Sequence, residues 1–288
     1  MSTPLLMVTG ASGQLGRLVI AHLKTLVPAS QIVALVRSAE VQAEYEAAGI
    51  ATRAGDYDDA AGLTAAFAGV DRLLLISSSA VGQRASQHAN VINAAKAAGV
   101  GFIAYTSLLN ATGFDMALAE EHKVTEAALA DSGIPHALLR NGWYSENLLA
   151  SLATDLELGQ HFGCAADGKF ASAPRQDYAE AAAVVLAGGD HAGKTYELAG
   201  DSSFTLADFT AELSKQSGKT VAYTDMPQAD YTAALVQAGL PEGFAAILAN
   251  SDANAAKGAL DSTSKDLSTL IGHPTTPIAD TIAAALAK

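Results

Sequence analysis

Cysteine is almost missing from this chain of 288 residues, with Cys164 its single thiol. One thiol forms no intramolecular disulfide, which fits a reducing compartment. Positive charge is scarce too: 17 Lys and Arg stand against 30 Asp and Glu, a formal net charge of −13. Such a chain repels phosphate backbones and anionic lipid, which argues against nucleic acid and membrane surfaces as partners. An anionic cofactor then has to be held by backbone amides or a few local cations. No apolar run reaches the length of a membrane span, and neither an internal repeat nor a low-complexity tract is present. The opening MSTPLLMVTG lacks a basic stretch and reaches glycine too early for a secretory signal. The expectation is a cytoplasmic protein.

What is present is core. Half of the residues are hydrophobic and 16% are charged, enough apolar mass for one large α/β domain with a smaller lobe. Short apolar runs, LLMVT (5–9), QIVALVR (31–37), IATRAGD (50–56), RLLLISS (72–78) and GFIAYTSL (101–108), alternate with helical patterns. The first of these, QLGRLVIAHLKTL, places Leu15, Leu18, Val19, Leu23 and Leu26 at helical spacing. Others cover roughly 39–48, 63–69 and 88–99, and a long one begins near 120. This alternation predicts an α/β fold, a Rossmann-type doubly wound parallel sheet with right-handed crossovers. The predicted division is 1–146 for the nucleotide-binding domain and 147–288 for a smaller, partly interleaved α/β lobe. Residues 194–201 (KTYELAGD) are expected to return to the main sheet. In the lobe, 205–219 reads as a helix capped by Thr205, 230–252 as two helices broken at Leu240-Pro241, and TPIADTIAAALAK as a last helix.

The loop after the first strand carries Gly10, Gly13 and Gly16 in MVTGASGQLG. Between a strand and a helix, such glycines allow a sharp turn, close backbone approach to a pyrophosphate and tight helix packing. The middle glycine of the usual G-x-G-x-x-G is absent, Ser12 taking its place. No Gly-Lys-Ser/Thr follows, which excludes a phosphate-binding loop of the nucleotide triphosphatase type. The next strand ends Val36-Arg37-Ser38 where NAD-binding chains usually place Asp or Glu. A guanidinium there can clamp the extra phosphate of NADP. Asp56 and Tyr57 follow the third strand, where adenine would lie, and Asp56 reads equally as a turn former. Ser77, Ser78 and Ser79 end the fourth strand, either lining the cofactor channel or serving plain loop chemistry.

The pattern Tyr-x-x-x-Lys is missing from the long helix LAEEHKVTEAAL. This region resembles extended short-chain dehydrogenases, which often carry Glu four residues after the Lys. With Glu126 as that residue, the lysine position is His122 and the tyrosine position Leu118. A ketone accepting hydride becomes a basic alkoxide and needs a placed acid. A quinone becomes an aromatic hydroquinone anion, a much weaker base that solvent can protonate. A site without the pair therefore suits quinones better than simple ketones. His122 is left either as proton donor or ring positioner, or as a packed helix histidine.

GASGQLG, QIVALVR, LLLISSSAVGQRASQHANVINAAKAAGV, FIAYTSLL, LLRNGWYSENLL, KTYELAGDS and LIGHPTT together resemble the type 2 NAD(P)H:quinone oxidoreductases, in the NmrA-like branch of atypical short-chain dehydrogenases. The resemblance implies a flavin-free, metal-free enzyme that binds NADPH and reduces quinones by two electrons. It carries cofactor contacts onto Gly10, Ser12, Gly13, Gln14, Leu15, Arg37, Ser77, Ser78 and Ser79. It extends them to Asn141, Gly142, Trp143, Tyr144, Ser145 and Glu146, with Arg175, read as lying in a loop, ranked lower. Trp143 and Tyr144 suit a flat substrate through ring stacking, with core packing as the alternative, and His122 and Tyr144 are the catalytic candidates. A lid of Phe244 and the 230–252 helices, a homodimer, a redox sensor that binds NAD(P) without chemistry, and a triphenylmethane dye reductase are left open.

Overall fold

A computed structural model describes residues 3–287. The elements run, in chain order, β1 (Leu6–Val8), α1 (Gln14–Leu26), β2 (Ile32–Val36), α2 (Ala39–Ala47), β3 (Ala51–Ala54) and α3 (Ala60–Ala66). They continue with β4 (Arg72–Leu75), α4 (Arg84–Ala98), β5 (Phe102–Leu108), α5 (Ala117–Ser132) and β6 (His136–Asn141). Then follow α6 (Ser145–Leu148), α7 (Leu152–Leu158), β7 (Gln160–Gly163), β8 (Lys169–Phe170), α8 (Arg175–Ala187), β9 (Thr195–Leu198), β10 (Phe204–Thr205) and α9 (Leu206–Ser217). The last elements are β11 (Ala222–Asp225), α10 (Gln228–Gln237), α11 (Glu242–Ala255), α12 (Asp266–Ile271) and α13 (Ile278–Leu286).

The chain forms two compact units. The first comprises Met1–Leu108, Glu121–Asn141 and Arg175–Tyr196. Its sheet has the order β3-β2-β1-β4-β5-β6-β9, and β9, the returning segment, runs on into the second unit. Leu6 pairs with both Ile32 and Arg72, in parallel register, so β1 is central. Strand order reverses between β1 and β4, which opens a crevice outside their carboxyl ends, where open α/β sheets bind ligands.

Strand alternation divides the core. Met7, Val33, Leu35, Leu73, Leu75, Ile103 and Tyr105 join Leu63, Phe67, Val91, Ile92 and Leu129 in one buried cluster, which covers one sheet face with α3, α4 and α5. Val19, Ile20 and Leu23 of α1 and Ala179, Ala182 and Leu186 of α8 are also buried, and these two helices pack together. Helix α8 contains Arg175 as its first residue, so the loop expected there is a helix start. The alanine-rich run that follows has little polar contrast and hides its periodicity. Helix α3 begins three residues earlier than its apolar pattern suggests, because Asp59 accepts from Gly62 N–H at 2.9 Å and caps it.

The second unit comprises Leu109–Glu120, Gly142–Pro174 and Glu197–Lys288. It holds a parallel pair, β7 with β11, and an antiparallel pair, β8 with β10. Thr205 caps α9 in a full capping box with Asp208. Pro241 stands just ahead of α11, so the break expected at Leu240-Pro241 is present. Among the described residues no helix is long and apolar enough to cross a membrane.

Candidate active site

The loop after β1 is shaped by backbone contacts. Gly10 has φ +58° and its carbonyl accepts from Gly13 N–H at 3.0 Å. A Cβ on Gly16 would stand 2.4 Å from Gly10 O and 2.8 Å from Ala11 Cα, so only glycine fits there. Ser12 is outside the left-handed region, which is why a serine is accommodated at the place of the middle glycine. Ser12, Gly13 and Gln14 are exposed and Leu15 is buried. No side chain caps the start of α1, which leaves the first amides of the helix available to an anion.

Tyr57 supports this loop from below. Its hydroxyl lies 2.5 Å from Thr9 Oγ1 and donates to Ile76 O at 2.9 Å, joining the ends of β1 and β4. Burial raises its pKa. The residue expected near adenine is thus part of the crevice floor. Asp56 Oδ1 accepts from Asp58 N–H at 3.1 Å, the turn alternative. Its Oδ2 lies 3.7 Å from Arg37 Nη1, and the Arg37 side chain is 72% exposed at the end of β2.

Beneath the serine loop lies a buried polar hub. Ser77 N–H donates to Thr106 Oγ1 at 2.9 Å and Ser78 N–H to His88 Nε2 at 3.0 Å. Ser78 Oγ accepts from Ala80 N–H at 3.1 Å, and Ser79 is exposed. His122 Nδ1 is 2.7 Å from the Tyr105 hydroxyl. Burial, assisted by Arg84, pushes His88 down to about 4, and burial, assisted by Arg84 and His88, pushes His122 down to about 3. Burial raises Tyr105 as well. Glu126 accepts from Ser107 Oγ at 2.5 Å and takes a bidentate pair from Arg140, at 2.9 and 2.7 Å. Leu118 stands four residues before His122, so α5 presents no phenol there.

In the second unit, the segment after β6 is tightly tied. Gly142 N–H donates to Leu198 O at 2.8 Å and Ser145 N–H to Ala173 O at 2.9 Å. The Ser145 and Ser172 hydroxyls are 3.0 Å apart. Trp143 is 8% exposed, a packed ring, whereas Tyr144 and Glu146 are half-buried.

A glycine loop at the switch point, an uncapped helix start and a guanidinium after β2 describe a dinucleotide fold but not its branch. The NmrA-like family model matches residues 2–276. The chain belongs to the NmrA-like family. It is 59% identical over 275 residues to quinone oxidoreductase 2 of Escherichia coli (strain K12), covering 96% of each chain. A crystal structure of the Escherichia coli NADPH-dependent quinone oxidoreductase complexed with NADPH is 58% identical, with a TM-score of 0.96, covering 98% of this chain and 100% of that one. The Citrobacter sp. triphenylmethane reductase complexed with NADP(H) is 40% identical, with a TM-score of 0.93, covering 97% and 99% of the two chains.

Within the first unit, the structure brings Gly10, Ser12, Gly13, Gln14 and Leu15 into one turn and Ser77–Ser79 into another, at the carboxyl ends of adjacent strands β1 and β4. The side chains beneath and beside the serine turn, His88, Tyr105, Glu121 and Thr125, were not anticipated. The motif SSSAVGQRASQH contains His88, but its partner Thr125 lies 37 residues on, a pairing with no local signal.

Proposed function

We propose that this NmrA-like protein reduces quinones by two electrons, without flavin, using NADPH. When bound, NADPH supplies a hydride from its reduced nicotinamide. The residues present fit that group: the uncapped first amides of α1 would hold its pyrophosphate, and the exposed Arg37 guanidinium would hold its additional phosphate. For Asn141, Gly142, Trp143, Tyr144, Ser145, Glu146 and Arg175 the cofactor role rests on the family resemblance. Tyr144 is the more open of the two aromatic rings for stacking on a flat acceptor.

The observation that carries the reading is the state of α5. His122 is buried, neutral and bonded to Tyr105. A ring held neutral down to about 3 donates no proton as an imidazolium at neutral pH. Tyr105, raised by burial, is a weaker acid than a free phenol. We therefore assign His122 to holding Tyr105, with proton delivery left to solvent. A quinone tolerates this because hydride addition yields a stabilised hydroquinone anion; a ketone does not. The names of the Escherichia coli relatives support the same substrate class.

The test is to mix purified protein with NADPH and a simple benzoquinone and follow loss of reduced-nicotinamide absorbance. Steady turnover is expected. Tight NADPH binding without turnover overturns the enzyme reading in favour of a redox sensor. The likeness to the Citrobacter reductase supports a second flat acceptor; faster turnover of a cationic triarylmethane dye than of benzoquinone would make that dye class the better substrate.

A further inference from the structure

The loop after β4 is tied near both of its ends to side chains of α4 and α5. Ser78 N–H donates to His88 Nε2 at 3.0 Å. A backbone N–H only donates, so Nε2 must keep its lone pair and the neutral ring carries its proton on Nδ1. That proton goes to Thr125 Oγ1, 2.9 Å away, and the threonine hydroxyl donates to Glu121 O at 2.9 Å. Each direction in this chain is set by the previous one. The Glu121 carboxylate reaches the same loop from outside: Oε1 accepts from Gly82 N–H at 3.1 Å and Arg84 N–H at 3.0 Å. Arg84 Nε closes the ring on Ser78 O at 2.5 Å.

A loop that only connected β4 to α4 could bond its amides to water. This one has a fully buried histidine beneath it. Replacing His88 by an apolar side chain would leave the Ser78 N–H without its acceptor. We infer that His88, backed by Thr125 and Glu121, is a positioning residue that sets the backbone of residues 77–84 for cofactor binding. The inference rests on the NADPH-dependent reading above. A loop ordered in advance spares the cofactor that ordering cost, so the clamp acts on cofactor affinity more than on the rate of the bound complex.

The test compares His88→Leu, His88→Gln and Glu121→Ala with the wild type in the NADPH–benzoquinone assay, with circular dichroism as the check on folding. Glutamine restores an acceptor near the position of Nε2; leucine does not. His88→Leu is expected to raise KM for NADPH about tenfold, the loss of one buried hydrogen bond. Its kcat and its KM for quinone should stay within about twofold of wild type, with His88→Gln recovering most of the change. Glu121→Ala, on the outer side of the loop, is expected to raise KM for NADPH about threefold. A folded His88→Leu with wild-type KM for NADPH overturns the inference, as does equal damage in His88→Leu and His88→Gln. Should the leucine variant fail to fold, an unchanged KM for NADPH in Glu121→Ala overturns it. If the wild type itself does not turn over, the functional reading falls separately, and NADPH titration by fluorescence on the same variants decides the positioning role.

Discussion

The buried histidines of the first unit and the buried Asp252 of the second respond to desolvation in opposite ways. In the first, His88 and His122 are under the crevice, each with a hydrogen-bond partner that accommodates a neutral ring. Burial there favours the state the partners already need. In the second, Asp252 is buried with Cys164 N–H on its Oδ2 at 3.2 Å. That single amide and the nearby His161 do not offset desolvation, and the carboxyl is pushed up to about 6, with Asp225 adding to the rise. The first unit shows what a buried carboxylate needs instead: Glu126 faces Arg140 through two charge-assisted bonds. Desolvation is common to both units; the partners decide its consequence.

The sharpest way to break this contrast is to remove the Glu126 carboxylate. Glu126→Ala removes both charge-assisted bonds to Arg140 and the acceptor of the Ser107 hydroxyl, and is expected to cost about 3 kcal/mol in urea denaturation; a loss below about 1 kcal/mol would show that water or another group compensates. Next is acid. His88 and His122 have folded pKa values below the unfolded value, so their stabilisation is complete above pH ~6.5 and is lost as pH falls toward about 4 and about 3. Each should contribute roughly 2 kcal/mol less at pH ~5 than at neutral pH. His88→Gln should remove its share of that slope in a denaturation series. Asp252 has the opposite sign: its folded value is raised, so stability is lost as pH rises from ~4 to about 6. Asp252→Asn should abolish that loss, raising stability at pH ~7 by about 2 kcal/mol and making the acid slope of the first unit easier to see. An unchanged pH profile in that variant would show that the carboxyl is hydrated. The smallest effect concerns an exposed group. Arg37→Asp should weaken NADPH about tenfold with little change for NADH, read by titration of both cofactors. Equal weakening of the two would remove the phosphate-clamp role.

The separation between what was legible and what was not follows the range of the interactions. Glycine spacing, the helical period of α1, the Thr205 cap and the Pro241 break are local, because they depend on backbone geometry within a few residues. The start of α3 was also local in cause, but Asp59 was hidden by the weak apolar pattern after it. Helix α8 was missed because an alanine-rich helix buried on several sides has little periodicity to read. Within the site, the glycine turn and the serine turn were legible as strand ends. Their supports were not: Tyr57 reaches Thr9 across 48 residues and His88 reaches Thr125 across 37.

By itself the sequence determined the alternation of strands and helices, the dinucleotide turn and the absence of a Tyr–Lys pair on α5, since each is a matter of residue type at short spacing. Only the tertiary structure decided what His122, His88 and Tyr57 do. Their burial, their partners and the protonation states that follow are set by side chains brought together from distant strands and helices, and desolvation exists only once those elements have packed.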